Sequence, residues 1–300
     1  MKRISCLFLM GFVSLAALYA QTDKSSYYTA GSYEYGGITL PYRQLGLNQE
    51  KDGGSVLIVQ LHGGTARGND NMAQLNAKAV DCVENYLRSH VTKAIFLLPQ
   101  CAADRVWNES SKSYDITMTE VLTQWLQQFI AENNIDTNRI YITGYSAGGS
   151  GAWRMVNDNT DLFASAVIAA ANPIMVEAAN VSKTPVYAVA GSNDNIMDAN
   201  KIENFVTSLN SYGGNAIFDL LDGESHFGTC DKAFSKERLD WMFQYQRSSS
   251  TSVVGLCPDE NRSDEEPFGI YTLTGMKTTG KVKGLHLVKY SDGQTKKCYF

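Results

Sequence analysis

The stretch that most constrains what this chain can fold into is residues 139–153, Arg-Ile-Tyr-Ile-Thr-Gly-Tyr-Ser-Ala-Gly-Gly-Ser-Gly-Ala-Trp. Residues 140–143 are typical of a strand, and the small residues after Gly148 can begin a helix. A Gly-x-Ser-x-Gly sequence between a strand and a helix is typical of a nucleophile elbow, a turn so tight that Ser146 must adopt a strained backbone. Glycine is expected at Gly144 and Gly148 because larger side chains would collide with the neighbouring strand and helix. A glycine-rich turn with an incidental serine is the alternative.

Apolar runs that alternate with helical patterns predict the fold class. The run Ser55–Leu61 is continuously apolar, as expected for a strand buried on both faces. Further strands are predicted at residues 33–35, 38–43, 94–99, 163–170, 185–190 and 216–221, helices at 71–88, 116–132, 200–209 and 234–246, and a turn at 136–138. This alternation predicts an α/β fold with a doubly wound, mostly parallel sheet between about residue 27 and residue 247.

The two ends of the chain have the composition of separate segments. Residues 1–20 combine a basic start, an apolar run and a small residue at position 20, which predicts a signal peptide and an exported protein. A retained membrane anchor is the alternative. We assign residues 21–247 to the catalytic domain and the polar residues 248–266 to a linker. Strand-like runs and a Ser-Asp-Gly turn in residues 267–300 predict a small C-terminal β domain.

Charge and cysteine content exclude several classes of function. A net charge of −5 and a pI of about 5.4 provide no basic field for nucleic acid. No Cys-x-x-Cys pair is present, so no zinc or redox motif is indicated. Export would permit disulfides, and Cys82–Cys101 or Cys230–Cys257 are candidate pairs, with buried free thiols as the alternative.

A serine hydroxyl at neutral pH needs a neighbouring base. His226 follows the last predicted strand in a glycine-containing loop, at the sheet edge where doubly wound folds bind ligands. His90 ends a surface-like helix, and His62 belongs to an earlier loop that it is expected to shape. His226 is therefore predicted to be the base for Ser146.

An orienting acid is expected between the nucleophile and the base in chain order. Asp194 follows the predicted strand 185–190 directly, at the same sheet edge as the base. It would hold the imidazole in the correct tautomer and stabilise its charged form. Asp198 and Asp222 remain competing candidates.

The negative oxygen of a tetrahedral intermediate needs preorganised donors. The backbone N–H of Ala147 is the first predicted donor, and the second is expected from the loop Gly63, Gly64 and Thr65 after the early strand. Trp107, in a polar loop, is a candidate to stack on an aromatic or sugar ring. Tyr145 is the second candidate substrate contact.

These motifs together resemble the α/β-hydrolase superfamily, carried by 61-Leu-His-Gly-Gly, 99-Pro-Gln-Cys, 144-Gly-Tyr-Ser-Ala-Gly-Gly, Asp194 and His226. More narrowly, the chain is similar to secreted feruloyl and acetyl-xylan esterases (carbohydrate esterase family 1), which grade into prolyl-oligopeptidase-like proteins. The resemblance implies hydrolysis of carboxylic esters by a serine triad without metal or organic cofactor. The chain departs from this pattern at Thr65-Ala-Arg67, where such esterases often have further glycines.

The C-terminal segment has its own resemblance. Residues 270–277 and 283–293, with Lys296 and Lys297, are similar to the sorting domains of type IX secretion in Bacteroidetes-like bacteria. That resemblance implies passage through the outer membrane, whereas a plain accessory β domain is the alternative. The function expected from the whole sequence is that of a secreted esterase acting on acylated plant cell-wall polysaccharide. A peptidase with the same triad and an inactive carbohydrate-binding or adhesive protein are the alternatives.

Overall fold

A computed structural model describes residues 23–247 and four further strand segments, Gly269–Thr272, Lys277–Thr278, Leu285–Lys289 and Thr295–Tyr299. The predicted signal peptide (1–20) and linker (248–266) lie outside the described residues. Among the helices described, none is both long enough and apolar enough to cross a membrane.

Eight strands form one sheet in the order β1-β2-β4-β3-β5-β6-β7-β8. Their bounds are β1 Thr29–Tyr35, β2 Ile38–Leu47, β3 Ser55–Leu61, β4 Ala94–Pro99, β5 Ile135–Tyr145, β6 Ser165–Ala169, β7 Val186–Gly191 and β8 Ala216–Leu221. The pairs β1–β2 and β2–β4 are antiparallel, and every other pair is parallel. The predicted mostly parallel sheet is confirmed.

Helices cover both faces of this sheet. They are α1 Lys78–His90, α2 Met118–Glu132, α3 Ala147–Asp158, α4 Ala178–Val181, α5 Ala199–Ser211, α6 His226–Lys232 and α7 Lys236–Phe243. Helices α2, α3 and α5 pack in one core, which contains Trp125 and Trp153. Helices α1, α6 and α7 pack in a second core, which contains Val83 and Leu239. The two cores confirm the predicted doubly wound arrangement.

Strand β3 shows why the central strands are apolar throughout. All of its residues are buried. Leu57 and Val59 belong to one core, whereas Val56 and Ile58 belong to the other. Because alternate side chains of a strand point to opposite faces, a strand with a core on each side needs apolar residues at both sets of positions.

Three predicted boundaries are wrong, and at the first two an aspartate side chain bonds to the backbone. The helix predicted at 71–88 begins at Lys78, since Asp70 Oδ1 accepts the N–H of Met72 at 2.9 Å and Ala73–Asn76 forms a 3-10 turn. The turn predicted at 136–138 lies inside β5 at a register shift, where Asp136 Oδ1 accepts the N–H of Asn138 at 3.0 Å. The helix predicted at 234–246 is instead α7, which Ser235 precedes as its N-cap residue, and it ends at Phe243.

The strand segments beyond residue 247 form a second, antiparallel sheet. They are β9 Gly269–Thr272, β10 Lys277–Thr278, β11 Leu285–Lys289 and β12 Thr295–Tyr299, in the order β10-β9-β11-β12. The assignment of residues 267–300 to a separate domain stays a prediction. Cys82, Cys101 and Cys230 are free thiols, so the Cys82–Cys101 pairing is wrong, and Cys257 lies outside the described residues.

Candidate active site

Ser146 occupies a strained turn between β5 and α3. Its backbone has φ 55° and ψ −125°, and its N–H donates to the carbonyl of Ala169 at 2.9 Å. A Cβ at Gly144 would lie 2.4 Å from the oxygen of Gly148, and a Cβ at Gly148 would lie 2.0 Å from the oxygen of Leu61. Both glycines are therefore required by backbone contacts, as the sequence predicted.

Three side chains from the ends of β5, β7 and β8 meet in a continuous hydrogen-bonded chain. His226 Nε2 lies 2.8 Å from Ser146 Oγ, and His226 Nδ1 lies 2.8 Å from Asp194 Oδ2. The side chains of His226 and Asp194 are only 4% and 1% exposed. The structure places His226 as the first residue of α6 rather than in a loop, with Ser225 as the N-cap. The backbone of His226 therefore belongs to a helix, which limits the motion of the imidazole.

The carboxylate of Asp194 is held on both sides. Oδ2 faces the imidazole, and Oδ1 accepts the backbone N–H groups of Ile196 and Met197 at 2.8 and 2.9 Å. The two competing acids are engaged elsewhere, because Asp198 caps α5 and Asp222 Oδ1 accepts the hydroxyl of Ser192. Of the three candidates, Asp194 is the one that contacts the imidazole.

The loop after β3 has three successive carbonyl groups, each bonded to a side chain. Trp107 Nε1 donates to the oxygen of His62 at 3.1 Å, and His62 Nδ1 donates to the oxygen of Gly63 at 2.7 Å. Arg67 Nε donates to the oxygen of Gly64 at 3.1 Å. In a trans peptide the N–H points opposite to the carbonyl that precedes it, so these bonds direct the N–H groups of residues 63–65 away from the three side chains.

The same loop lies against the turn that carries Ser146. A Cβ at Gly63 would lie 3.6 Å from Cβ of Ser146, and a Cβ at Gly64 would lie 3.8 Å from Cβ of Ala147. Ala147 is the first residue of α3, where backbone N–H groups have no acceptor within the helix. The structure thus places Gly63 and Gly64 beside the turn that carries Ser146 and Ala147. The assignment of oxyanion donors to residues 63–65 and 147 stays a prediction.

His62 has a neutral ring inside this loop. Its Nε2 accepts the N–H of Cys101 at 2.9 Å, which leaves Nδ1 as the protonated nitrogen that donates to Gly63. Burial lowers the pKa of His62 from 6.5 to about 4. The imidazole therefore joins the β3 and β4 loops, and both of its nitrogens are already occupied.

Comparison with known proteins decides the family. Residues 97–251 match the dienelactone hydrolase family. The chain belongs to this family. The match includes Ser146, Asp194 and His226, whereas the loop at 62–67 precedes it. The superfamily predicted from the sequence is confirmed, and the narrower placement in carbohydrate esterase family 1 stays a prediction.

Similar proteins of known structure share the fold of this dienelactone hydrolase family member. A thermostable esterase is 24% identical with a TM-score of 0.67, over 74% of this chain and 64% of that one. A ferulic acid esterase is 15% identical with a TM-score of 0.57, over 72% of this chain and 98% of that one. At these identities the likeness shows the α/β-hydrolase fold.

One curated relative matches over a shorter stretch. The bifunctional acetylxylan esterase/xylanase XynS20E of Neocallimastix patriciarum is 30% identical over 89 residues, which is 28% of this chain and 13% of that protein. The chain thus spans less than two thirds of the relative, and also less than two thirds of the thermostable esterase.

The structure corrects one predicted substrate contact in this dienelactone hydrolase family member. Trp107 is 1% exposed, and its ring packs edge-on to His62 with centroids 5.1 Å apart. The buried ring has no exposed face for a substrate. Its indole N–H instead holds the loop after β3 through the carbonyl of His62. Tyr145 is 9% exposed and burial raises its pKa to about 12. Its ring lies against Gly63, and a substrate contact by its hydroxyl stays a prediction.

Sequence reasoning missed Arg67 as part of the site. The signal was present in the departure from the family pattern, because Thr65-Ala-Arg67 replaces further glycines. Gly64–Ala66 forms a 3-10 turn that returns Arg67 onto the carbonyl of Gly64, and Arg67 Nη1 also donates to the oxygen of Arg105 at 3.1 Å. Among the residues that the structure describes, no group of three or more His, Cys, Asp or Glu side chains is arranged to hold a metal ion.

Proposed function

We propose that this protein hydrolyses carboxylic esters, with Ser146 as nucleophile, His226 as general base and Asp194 as orienting acid. One observation carries the proposal: two 2.8 Å contacts join hydroxyl, imidazole and carboxylate at the carboxyl ends of parallel strands. Membership of a hydrolase family and the strained backbone at the serine support it.

The geometry suits a two-step acyl transfer. His226 Nε2 takes the proton of Ser146 as Oγ attacks the carbonyl carbon, and Asp194 stabilises the resulting imidazolium. The same nitrogen returns the proton to the leaving alcohol as the ester C–O bond breaks. Water then attacks the acyl-serine in the reverse sequence of proton transfers and releases the acid.

The oxyanion is bound by two backbone amides. Ala147 at the start of α3 supplies one, and Gly64 supplies the other because it lies beside Ala147 and its preceding carbonyl is held away by His62. Each donor of this kind typically contributes about 3 kcal/mol to the stability of the transition state. Gly63 and Thr65 flank the Gly64 donor and shape the loop.

The favoured substrate is a feruloyl or acetyl ester of plant cell-wall polysaccharide. Support comes from the ferulic acid esterase and the acetylxylan esterase/xylanase among the similar proteins, and from the signal peptide predicted at residues 1–20. The site of action is the periplasm, the cell surface or the medium. The C-terminal segment is an address for type IX secretion.

A fluorophosphonate probe tests the nucleophile. The wild-type protein is expected to be labelled and to hydrolyse model esters, whereas Ser146→Ala should do neither while keeping its thermal unfolding transition. Ser150→Ala is the matched control, because Ser150 is the other serine of the same glycine-rich stretch. Labelling that survives Ser146→Ala would place the nucleophile elsewhere, and an unlabelled wild type would favour the inactive binding protein.

A substrate panel separates the esterase from the peptidase alternative. Feruloyl and acetyl esters are compared with peptide amides on the full chain, with Ser146→Ala as the blank. We expect turnover of esters above that of amides. Turnover confined to the amides would establish a peptidase with the same triad.

A further inference from the structure

Most of the exposed large apolar side chains lie at the edge of the sheet that carries Ser146. Among the described residues, the side chains of this kind are those of Val106, Ile174, Met175, Ile196, Tyr212, Leu220 and Phe227. Val106, Ile174, Met175, Ile196 and Phe227 belong to the segments that follow β4, β6, β7 and β8 at their carboxyl ends. We call these five residues the apolar rim.

Two residues of the apolar rim contact members of the triad. The Phe227 ring meets the His226 ring edge-on, with centroids 5.4 Å apart and planes at 79°. The N–H of Ile196 donates to Asp194 Oδ1 at 2.8 Å. Two rim residues therefore adjoin two members of the triad.

The β6 segment of the rim is fixed in place. Met175 has a φ of 56°, a conformation that side chains other than glycine rarely adopt. Arg154 Nη1 donates to the oxygen of Met175 at 2.6 Å, and the N–H of Glu177 donates to Asn157 Oδ1 at 2.7 Å. Helix α3 thus fixes the backbone of this loop, in which the side chains of Ile174 and Met175 are exposed. Strain that the surrounding structure maintains is a feature of binding sites.

The β6 and β7 segments are also joined to each other. The N–H of Asp198 donates to Asn172 Oδ1 at 3.2 Å. Ile174 is two residues after Asn172, and Ile196 is two residues before Asp198. This hydrogen bond therefore links the segments that carry the two rim residues. Since the same β7 segment holds Asp194, these hydrogen bonds connect the triad to the loop after β6.

We infer that the apolar rim binds a ring-sized apolar group of the ester substrate. The inference rests on the proposed function and selects among its substrates. Removing exposed apolar surface from water is favourable, and a substrate ring that covers the rim gains this free energy next to the reacting serine. A bare acetyl ester of a sugar would leave the rim exposed to water. The ring can belong to the acyl or to the alcohol side, and both present the same surface.

Two pairs of substrates with matched reactivity separate these sources. The acyl pair is methyl 3-phenylpropanoate and methyl propanoate, and the alcohol pair is 2-phenylethyl acetate and ethyl acetate. For the wild-type protein we expect kcat/KM to favour the phenyl member of one pair by about ten-fold, the effect of burying part of a ring. The pair that shows it identifies the side of the ester that the rim binds.

The variant Ile174→Ser combined with Phe227→Ser tests whether the rim causes this preference. The ratio of kcat/KM within a pair should fall to near one, and the ratio is insensitive to a general loss of activity. Ile174→Ser alone guards against disturbance of His226, and should reduce the ratio in part. Tyr212→Ser is the matched control, because Tyr212 is 62% exposed against 65% for Phe227 but lies at the end of α5, at the opposite edge of the sheet.

Two results would overturn the inference and leave the proposed function standing. Either the wild type hydrolyses both members of each pair equally, or the rim variants keep the full preference of the wild type. Failure of the proposed function looks different, since Ser146→Ala would then retain the turnover of every ester.

Discussion

At the scale of single residues, Asp194 is bonded through both of its carboxylate oxygens. One of its oxygens faces His226 Nδ1, and the other accepts two backbone N–H groups. Asn in its place keeps the shape but must turn its NH₂ group toward a donor on one side or the other. We expect Asp194→Asn to lower kcat by about 10⁴-fold, because the imidazole then takes the wrong tautomer or orientation. Steady-state kinetics on a model ester measures the loss.

Asp198→Asn is the control for this substitution. Asp198 caps α5 without touching His226, and asparagine is an equally good N-cap. Its kcat should stay within about two-fold of the wild type, since no member of the triad changes partner. A large loss for Asp198→Asn, with little effect of Asp194→Asn, would reverse the assignment of the acid.

His62 predicts a pH dependence of stability. Its pKa falls from 6.5 in the unfolded chain to about 4 in the fold, so the folded protein favours the neutral ring. The corresponding stability is fully present above pH 6.5 and is lost as the pH falls toward about 4, because the unfolded chain binds the proton first. The free energy at stake is at most about 3 kcal/mol.

Chemical denaturation across this pH range measures the effect. Wild type should lose more free energy of unfolding between neutral pH and pH 4 than His62→Gln, whose side chain does not titrate. His90→Gln serves as the control, because His90 is exposed and stacks on Tyr86. An identical pH dependence in wild type and His62→Gln would show that folding leaves the pKa of His62 unchanged.

At the scale of elements, the loop after β3 is held by side chains from outside its glycines. Arg67 joins the carbonyl of Gly64 to that of Arg105, in the loop after β4. Arg67→Met keeps the aliphatic stem and loses both bonds. We expect kcat to fall about ten-fold with KM nearly unchanged, because a misaligned oxyanion donor weakens binding of the transition state more than of the substrate.

Arg139→Met is the matched control for Arg67→Met. Arg139 lies near the start of β5, at the opposite edge of the sheet, and pairs with Asp136. Its kinetics should equal those of the wild type. If Arg67→Met raised KM and left kcat intact, Arg67 would contact the substrate instead of positioning the loop.

The elements also show what sequence alone can predict. Apolar runs predicted the buried strands well, because a strand between two cores has little freedom in composition. Helix starts were less accurate, since Asn71 (φ 54°) and the side chain of Asp70 stop the helical pattern at a point that periodicity does not mark. Similarly, residues 136–138 form the side-chain bond that is typical of a turn, but they lie within β5 as an irregularity in its pairing.

Some features of the site were also predictable from the sequence, and others were not. Ser146, Asp194 and His226 each follow a strand of the parallel sheet, so their meeting at one edge was predictable from chain order. The orientation of the loop after β3 was not predictable, because it depends on the indole of Trp107, which comes from a different loop. A tryptophan in a polar stretch suggests a substrate contact, and only the structure shows that its ring is buried.

At the scale of the whole molecule, the sheet order explains how distant segments form one site. Ser146 follows the central strand β5, with β3 on one side and β6 on the other. The loop after β3 therefore approaches Ser146 from one side, whereas Asp194 and His226 approach it from β7 and β8 on the other side. Because the two halves of the site come from different sides of the sheet, we expect the free-energy effects of Arg67→Met and Asp194→Asn on kcat to be additive when both act on the same rate-limiting step.

The last contacts of residues 23–247 predict where the chain can be shortened. Tyr141 Oη donates to the oxygen of Tyr245 at 2.6 Å, and the N–H of Arg247 donates to the oxygen of Asn138 at 2.9 Å. Both bonds fasten the end of this part of the chain to β5. A chain of residues 21–247 is therefore expected to keep the thermal stability and ester turnover of the longer chain. A chain ending at residue 243 should lose both bonds and unfold at a lower temperature. Loss of activity in the 21–247 chain would show that the C-terminal segment is part of the catalytic unit.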